Sequence, residues 1–266
     1  MSQSFVKDIL WLAFPPGLRA DRRFLVTLAV YLDASGPNAE INALVVAGAI
    51  STPDKWQAFS DEWTGALYDF EQLPYFHMTD FDSGKGVYEN WQERGVKRPR
   101  FDRLLKIIER YVLGSVGASI SILLCEKHYA VRPLETAYGL TASHCFLAMA
   151  DYYIENGDSD EPIIHTMEHG DDGYGRLEAV YHQFYRDKVV REKARLGGKL
   201  SVEKKKFPPL QAADILAFEG WKQWARDFGG DLRPPRYSFN RLRARIPDGW
   251  VNLDEARIQA MRAAGK

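Results

Sequence analysis

The apolar positions of the chain follow two rhythms. Leu25 to Leu32 is unbroken, every position apolar, aromatic or β-branched, and it runs into Asp33 and the small residues Ala34-Ser35-Gly36. Such a run predicts a strand buried on both faces. Strand alternation puts Asp33 on the face of Tyr31, Ala29 and Thr27. A charge there costs several kcal/mol unless it is paired or bound to a metal, although an Asp at a turn also commonly caps its own backbone. Ala43 to Ile50 is again apolar, so residues 24–50 read as an antiparallel hairpin. The helical rhythm begins at Thr52-Pro53-Asp54, an N-cap followed by a first-turn proline. It runs to about Phe70 with Trp56, Phe59, Trp63 and Leu67 on one stripe.

Residues 71–100 read as irregular. A helix from Phe101 to Val112, a strand from Ser115 to Cys125 and a long helix from Glu135 to Glu155 follow. Pro162 to Glu168 is a fourth strand, Tyr174 to about Lys193 a helix, and Lys199 to Glu203 a short fifth strand. Pro208-Pro209 breaks the chain before a helix from Leu210 to Phe228. Residues 1–14 read as a short amphipathic helix, and 231–266 as a basic, proline-interrupted extension wrapping the body.

This order predicts an α/β protein. A three-stranded antiparallel meander is followed by two βα crossovers, which add parallel strands on the other side of the first strand. The result is a mixed five-stranded sheet ordered 3-2-1-4-5 with helices on its faces, the ribonuclease H-like arrangement. It occupies one domain over 1–266, with an insertion over about 52–113 and a C-terminal extension over about 231–266.

In that order the first and fourth strands are parallel neighbours, so Asp33 and Glu168 end side by side. Asp214 belongs to the stripe of Leu210, Ala213, Ala217 and Trp221 that should face the sheet. An Asp on an apolar helix stripe conflicts with the local pattern, and such conflicts gather at functional sites. Three carboxylates converging on one point are hard oxygen ligands suited to Mg²⁺ or Mn²⁺. Two such ions ~4 Å apart serve phosphodiester cleavage. Asp171, in Gly170-Asp171-Asp172-Gly173, stands next to this place in sequence, and His77 with Asp80 and Asp82 offers a proton shuttle or outer ligand. Each residue also has a plainer role: Glu168 a solvated strand end, Asp171 a surface turn, Asp214 a paired structural acid, His77 a solvated loop residue.

Composition narrows the field. With 35 basic against 36 acidic residues the net charge is −1, which argues against a surface that coats nucleic acid or membrane as a whole. Basic residues still cluster at Arg94 to Arg103, at Lys199 to Lys206 and at Arg233 to Arg245. Lys204, Lys205 and Lys206 lie just before the Asp214 helix, where substrate phosphates would need them. Cys125 and Cys145 sit in apolar segments and read as reduced core residues. No apolar run reaches the ~18 residues of a membrane span, so the expectation is a cytoplasmic protein that does not enter a membrane. Phosphate-binding glycine loops, zinc spacings and a serine nucleophile elbow are missing from the sequence.

Two stretches, Tyr31-Leu32-Asp33-Ala34-Ser35-Gly36 and Leu210-Gln211-Ala212-Ala213-Asp214-Ile215-Leu216-Ala217, resemble the signatures of the bacterial family called domain of unknown function 3800. Those signatures read roughly Asp-Glu-Ser-Gly after a strand and Leu/Ile-Gln-Leu-Ala-Asp on a late helix. Phe76-His77-Met78-Thr79-Asp80 is similar to a His-containing motif in many members, which brings in His77. The resemblance spans about residues 24–228 and implies a ribonuclease H-like, metal-dependent nuclease or a relative that has lost activity. Ala34 departs from the pattern, standing where the family usually has Glu. The leading expectation is therefore a nuclease acting on DNA or RNA. Its alternatives are an inactive binding module of the same fold and a metal-dependent hydrolase of a small phosphorylated substrate.

Overall fold

The computed structural model describes residues 28–36, 42–129, 133–156, 163–168, 174–202, 207–229 and 233–264. Strand β1 (Ala29–Ser35) pairs antiparallel with β2 (Ala43–Ser51), Leu32 opposite Gly48. β3 (Gly114–Ser121) continues the meander on β2. β4 (Ile163–Glu168) lies parallel to β1 on its other side, and β5 (Leu196–Val202) lies parallel to β4. The helices are α1 (Pro53–Asp69), α2 (Met78–Ser83), α3 (Lys97–Tyr111), α4 (Ile122–His128), α5 (Pro133–Asn156), α6 (Tyr174–Arg186), α7 (Lys188–Lys193), α8 (Pro208–Gly229), α9 (Tyr237–Arg245) and α10 (Glu255–Ala263).

The sheet is six-stranded and reads β5-β4-β1-β2-β3-β6, which differs from the expected five-stranded 3-2-1-4-5. The sixth strand, β6 (Asp248–Leu253), lies in the C-terminal extension and runs parallel to β3. Its start, Pro247-Asp248-Gly249, carries turn residues, and as an edge strand it is half-buried. Its pattern therefore shows neither alternation nor an apolar run. The third strand ends earlier than expected, at Ser121, and Ile122 to His128 forms α4. A short apolar run such as Ile120 to Cys125 does not separate strand from helix by periodicity. The predicted helix over 174–193 is broken at Asp187, whose carboxylate accepts from the Val189 and Val190 amides and starts α7. The segment read as irregular holds α2 and a 3-10 turn at Gly86–Tyr88. The amphipathic helix expected over 1–14 lies outside the described residues.

The two faces of the sheet are buried separately. Ala29, Tyr31, Val45, Ala47, Ala49 and Ile164 face the core under α1, α2, α3 and α8. Val30, Leu32, Val46, Ile163 and Met167 face the core under α5 and α6. α1 begins as its spacing predicts, Thr52 Oγ1 accepting from the Lys55 amide at 3.4 Å. It is anchored on the sheet by Trp56, whose indole Nε1 donates to the Ala29 carbonyl at 2.8 Å. Edge-to-face, stacked and tilted ring contacts run on from Trp56 through Phe59 and Trp63 to Phe76, Phe81 and Phe101. Such pairs add about 0.5–1.5 kcal/mol each to their burial, and they extend the α8-side core of the sheet into the insertion. Cys125 and Cys145 are buried free thiols, as expected.

Close approach between β3, β6 and α8 depends on the glycines among them. A Cβ at Gly220 would stand 2.4 Å from Cη2 and Cζ3 of Trp250, and one at Gly117 would stand 2.8 Å from the same ring. The Trp250 ring fills the slot these two glycines leave. Gly220→Ala should therefore destabilise the fold by about 1–3 kcal/mol, the usual cost of overpacking, read as a lower urea midpoint. Most of that loss should be recovered when Trp250→Val is added. An unchanged midpoint in Gly220→Ala would mean that the ring moves aside freely.

Candidate functional site

β1 and β4 run parallel with Tyr31 level with Thr166 and Leu32 level with Met167. Continued one residue further, still within both strands, that register leads to Asp33 and Glu168. The face is set by alternation. Ile164 belongs to the core under α8, whereas His165 meets Phe146 and Tyr181 on the other side. Glu168 is thus on the α8 face, as Asp33 is through Tyr31 and Ala29. Asp33 is 2% exposed and Glu168 is half-buried. Ala34 packs against the opposite core, so the residue that departs from the family pattern lies across the sheet from Asp33.

α8 packs across β1 and β2, and Asp214, 3% exposed, lies in its buried part. Its Oδ2 accepts the Met78 amide at 2.8 Å, at the start of α2. One turn earlier Gln211, 1% exposed, accepts through Oε1 from Trp63 Nε1 and from the Phe76 amide, both at 2.8 Å. The stretches Phe76-His77-Met78 and Gln211 to Asp214 are therefore bound to each other through two backbone amides. Gln211 belongs to the late-helix stretch, yet sequence reasoning missed its role. A lone Gln carries no charge conflict, and its two donors lie 148 and 135 residues away.

His77 stands beside this contact. Its amide donates to the Tyr88 hydroxyl at 3.0 Å, and its Nδ1 lies 2.9 Å from Asp80 Oδ2. The side chain is about one-third exposed, 32%, an imidazole oriented by a carboxylate at the rim of the contact. At the other end of α2, Asp82 meets Arg236 at 2.8 Å and Lys222 at 3.5 Å, while Arg236 also meets Glu219 at 3.0 Å. Glu219 is 1% exposed. Burial pushes its carboxyl above the usual range, and the Arg236 guanidinium opposes that shift. Sequence reasoning passed over Glu219 as well. The available signal was an acid among Phe218, Gly220 and Trp221 on a helix already carrying one conflicting acid.

Most of the basic residues in the clusters Arg94 to Arg103 and Arg233 to Arg245 pair with acids of the fold. Arg94 and Arg100 meet Glu71, Arg103 meets Asp69, and Arg98 meets Asp102. Arg241 meets Glu109 and Asp102, and Arg243 meets Asp248. Glu71 is held well below the carboxylate range, at about 2, by its hydrogen bonds from Arg94 and Arg100. Asp171 and the three lysines Lys204, Lys205 and Lys206 lie outside the described residues. Among the described residues no group of three His, Cys, Asp or Glu side chains stands close enough together to hold a metal ion. No helix among them is long and apolar enough to cross a membrane.

No family model matches the chain, and no curated protein does. Among solved structures, the chain is similar to one described as "Crystal structure of Bst-RNase HIII in complex with Mn2+". The TM-score is 0.43 at 15% sequence identity, over 92% of this chain and 68% of that one.

Proposed function

We propose that the chain is a ribonuclease H-like, divalent-metal-dependent nuclease that hydrolyses phosphodiesters of DNA or RNA. One observation supports the reading: continued one residue beyond its last pair, Leu32 with Met167, the parallel β1–β4 register leads to Asp33 and Glu168 on the face that α8 covers, and α8 itself carries the buried Asp214. The strand order β5-β4-β1-β2-β3, antiparallel in its first three sequence strands and parallel in the next two, supports the ribonuclease H-like assignment. The donors of this face are hard oxygens, which suit Mg²⁺ or Mn²⁺. Asp33, Glu168 and Asp214, which do not stand as a ready metal-holding group in the structure, would have to close on the ion to hold it, with Asp171 in support. A bound divalent ion would supply Lewis-acid stabilisation of the charge that develops in phosphodiester hydrolysis. The chain's own residues hold the carboxylates, and Asp80 orients the His77 ring so that it can pass a proton at the rim. Lys204, Lys205 and Lys206 are assigned to substrate phosphates.

A binding module without catalysis is the second reading. It is favoured by the Asp214 bond to the Met78 amide, a structural use of that carboxylate. Metal titration separates the two. Mn²⁺ at 100 times its Kd should stabilise the fold by about 2.7 kcal/mol, raising the melting temperature in wild type but not in Asp33→Asn. Cleavage of labelled DNA or RNA should require Mn²⁺ or Mg²⁺ and be lost in the same variant. A melting curve that ignores millimolar Mn²⁺, with no cleavage of either nucleic acid, would leave the binding module. Replacing Lys204, Lys205 and Lys206 by Ala should then distinguish a phosphate track from a solvated stretch. The log–log slope of affinity against salt should become shallower by about one for each phosphate that the variant no longer neutralises.

A further inference from the structure

α2 has six residues, too few to be helical by itself, so its position is set by what holds its ends. Both ends are held from α8. At the start, Gln211 and Asp214 take the Phe76 and Met78 amides. At the end, Lys222 reaches Asp82 directly, and Glu219 reaches it through Arg236. Going along α8 from 211 to 222, the partners advance from 76 to 82, so the segment lies along the helix in the same direction. The third participant comes from elsewhere: Arg236 is the residue just before α9, in the C-terminal extension. Lys97 Nζ adds a bond to the Asp82 carbonyl at 3.1 Å.

From this arrangement we infer that Arg236 and Asp82 are positioning residues: their ion pair clasps the far end of α2 against α8 and thereby sets where the Met78 amide and His77 stand against Asp214. The C-terminal extension thus acts on the candidate site without touching it. The inference rests on the reading of Asp214 as part of that site. Glu219 is buried and needs a cation, and the Arg236 fork supplies one while keeping an N–H for Asp82 at 2.8 Å. Lysine at 236 would offer a point charge without the planar fork that spans both carboxylates.

Amide hydrogen exchange tests it directly, since the Met78 N–H is the bond being positioned. Asp82→Asn removes the charge that Arg236 and Lys222 meet and leaves Arg236 on Glu219. Met78 should lose about tenfold in protection, while Val46 and Ala118 in the central strands keep theirs. Arg236→Met combined with Glu219→Gln breaks the clasp from the other side without leaving a buried charge, and should give the same loss. Arg243→Met, which breaks the pair to Asp248 in the same extension, should leave Met78 as in wild type. Wild-type protection at Met78 in both clasp variants overturns the inference. So does a loss spread equally over Met78, Val46 and Ala118 in both, which marks a stabilising ion pair only. A separate arm adds Mn²⁺ and reads paramagnetic broadening at Asp33. Lost Met78 protection without broadening supports the clasp and rejects only the metal reading, whereas broadening with unchanged Met78 protection rejects the clasp alone.

Discussion

Gln211→Met should cost the fold about 2–6 kcal/mol although the two side chains are nearly the same size. The amide oxygen serves two buried donors, Trp63 Nε1 and the Phe76 N–H, each at 2.8 Å. Methionine fills the space but accepts neither bond usefully. Leaving a buried donor without an acceptor costs about 1–3 kcal/mol, so two such losses add to the range given. The aromatic shell worsens the case, because Trp63 stacks on Phe59 and meets Phe76 edge-on, and neither indole nor amide has water to turn to. A double-mutant cycle isolates the cause. In a Trp63→Phe background only the Phe76 amide remains to be orphaned, so the same Gln211→Met change should cost about half as much. Urea denaturation of the four proteins gives the numbers. A cost below about 1 kcal/mol in the wild-type background would show that the insertion re-forms its contacts around the missing oxygen.

This dependence on one amide marks the limit of what could be read from the chain. The central strands were legible because they are buried on both faces: Val30 to Leu32 and Ala43 to Ile50 have no polar side to confuse their pattern. So were α1, from its Thr52-Pro53 start, and the parallel placing of β4 beside β1, from the crossover rule. The face of Asp33 followed from alternation alone. What failed was local: β6 hides behind Pro247, Asp248 and Gly249, and its partner β3 is built of Gly, Ala and Ser with few residues of strong β preference. α2 failed for another reason. Met78 to Ser83 has no helical signal to read, because its ends are secured by side chains more than a hundred residues away. Long-range pairing also hides how the charges are used. In the sequence Arg236 and Arg241 are only members of a basic cluster, and the acids that pair with them, Glu219, Asp82, Glu109 and Asp102, come from α8 and the insertion.

Acid should destabilise the protein by about 3 kcal/mol through a single residue that takes no part in the candidate site. His165 of β4 is fully buried on the face opposite the carboxylates, against Phe146 at 5.4 Å and Tyr181 at 5.8 Å. Burial lowers its imidazole from 6.5 to about 4, and the Ile163 backbone offsets that only in part. The folded-state value is below the unfolded one, so between pH 6.5 and 4 the unfolded chain binds the proton that the folded chain refuses. Stability is therefore full above 6.5, falls as pH drops through that window and levels off below 4. A depression of about 2.5 units corresponds to about 3 kcal/mol at roughly 1.36 kcal/mol per unit. The measurement is the difference in urea stability between wild type and His165→Phe across about pH 4 to 8. Groups common to both proteins cancel in that difference, including Glu219, whose raised carboxyl works in the opposite direction by favouring the fold at lower pH. Phenylalanine suits a wall already lined by Phe146 and Tyr181, so the variant should match or exceed wild type at about pH 5 and lose its advantage above about pH 7. A difference that stays flat across the window would mean that the His165 proton is accommodated within the fold, and that Tyr181 or water reaches the ring.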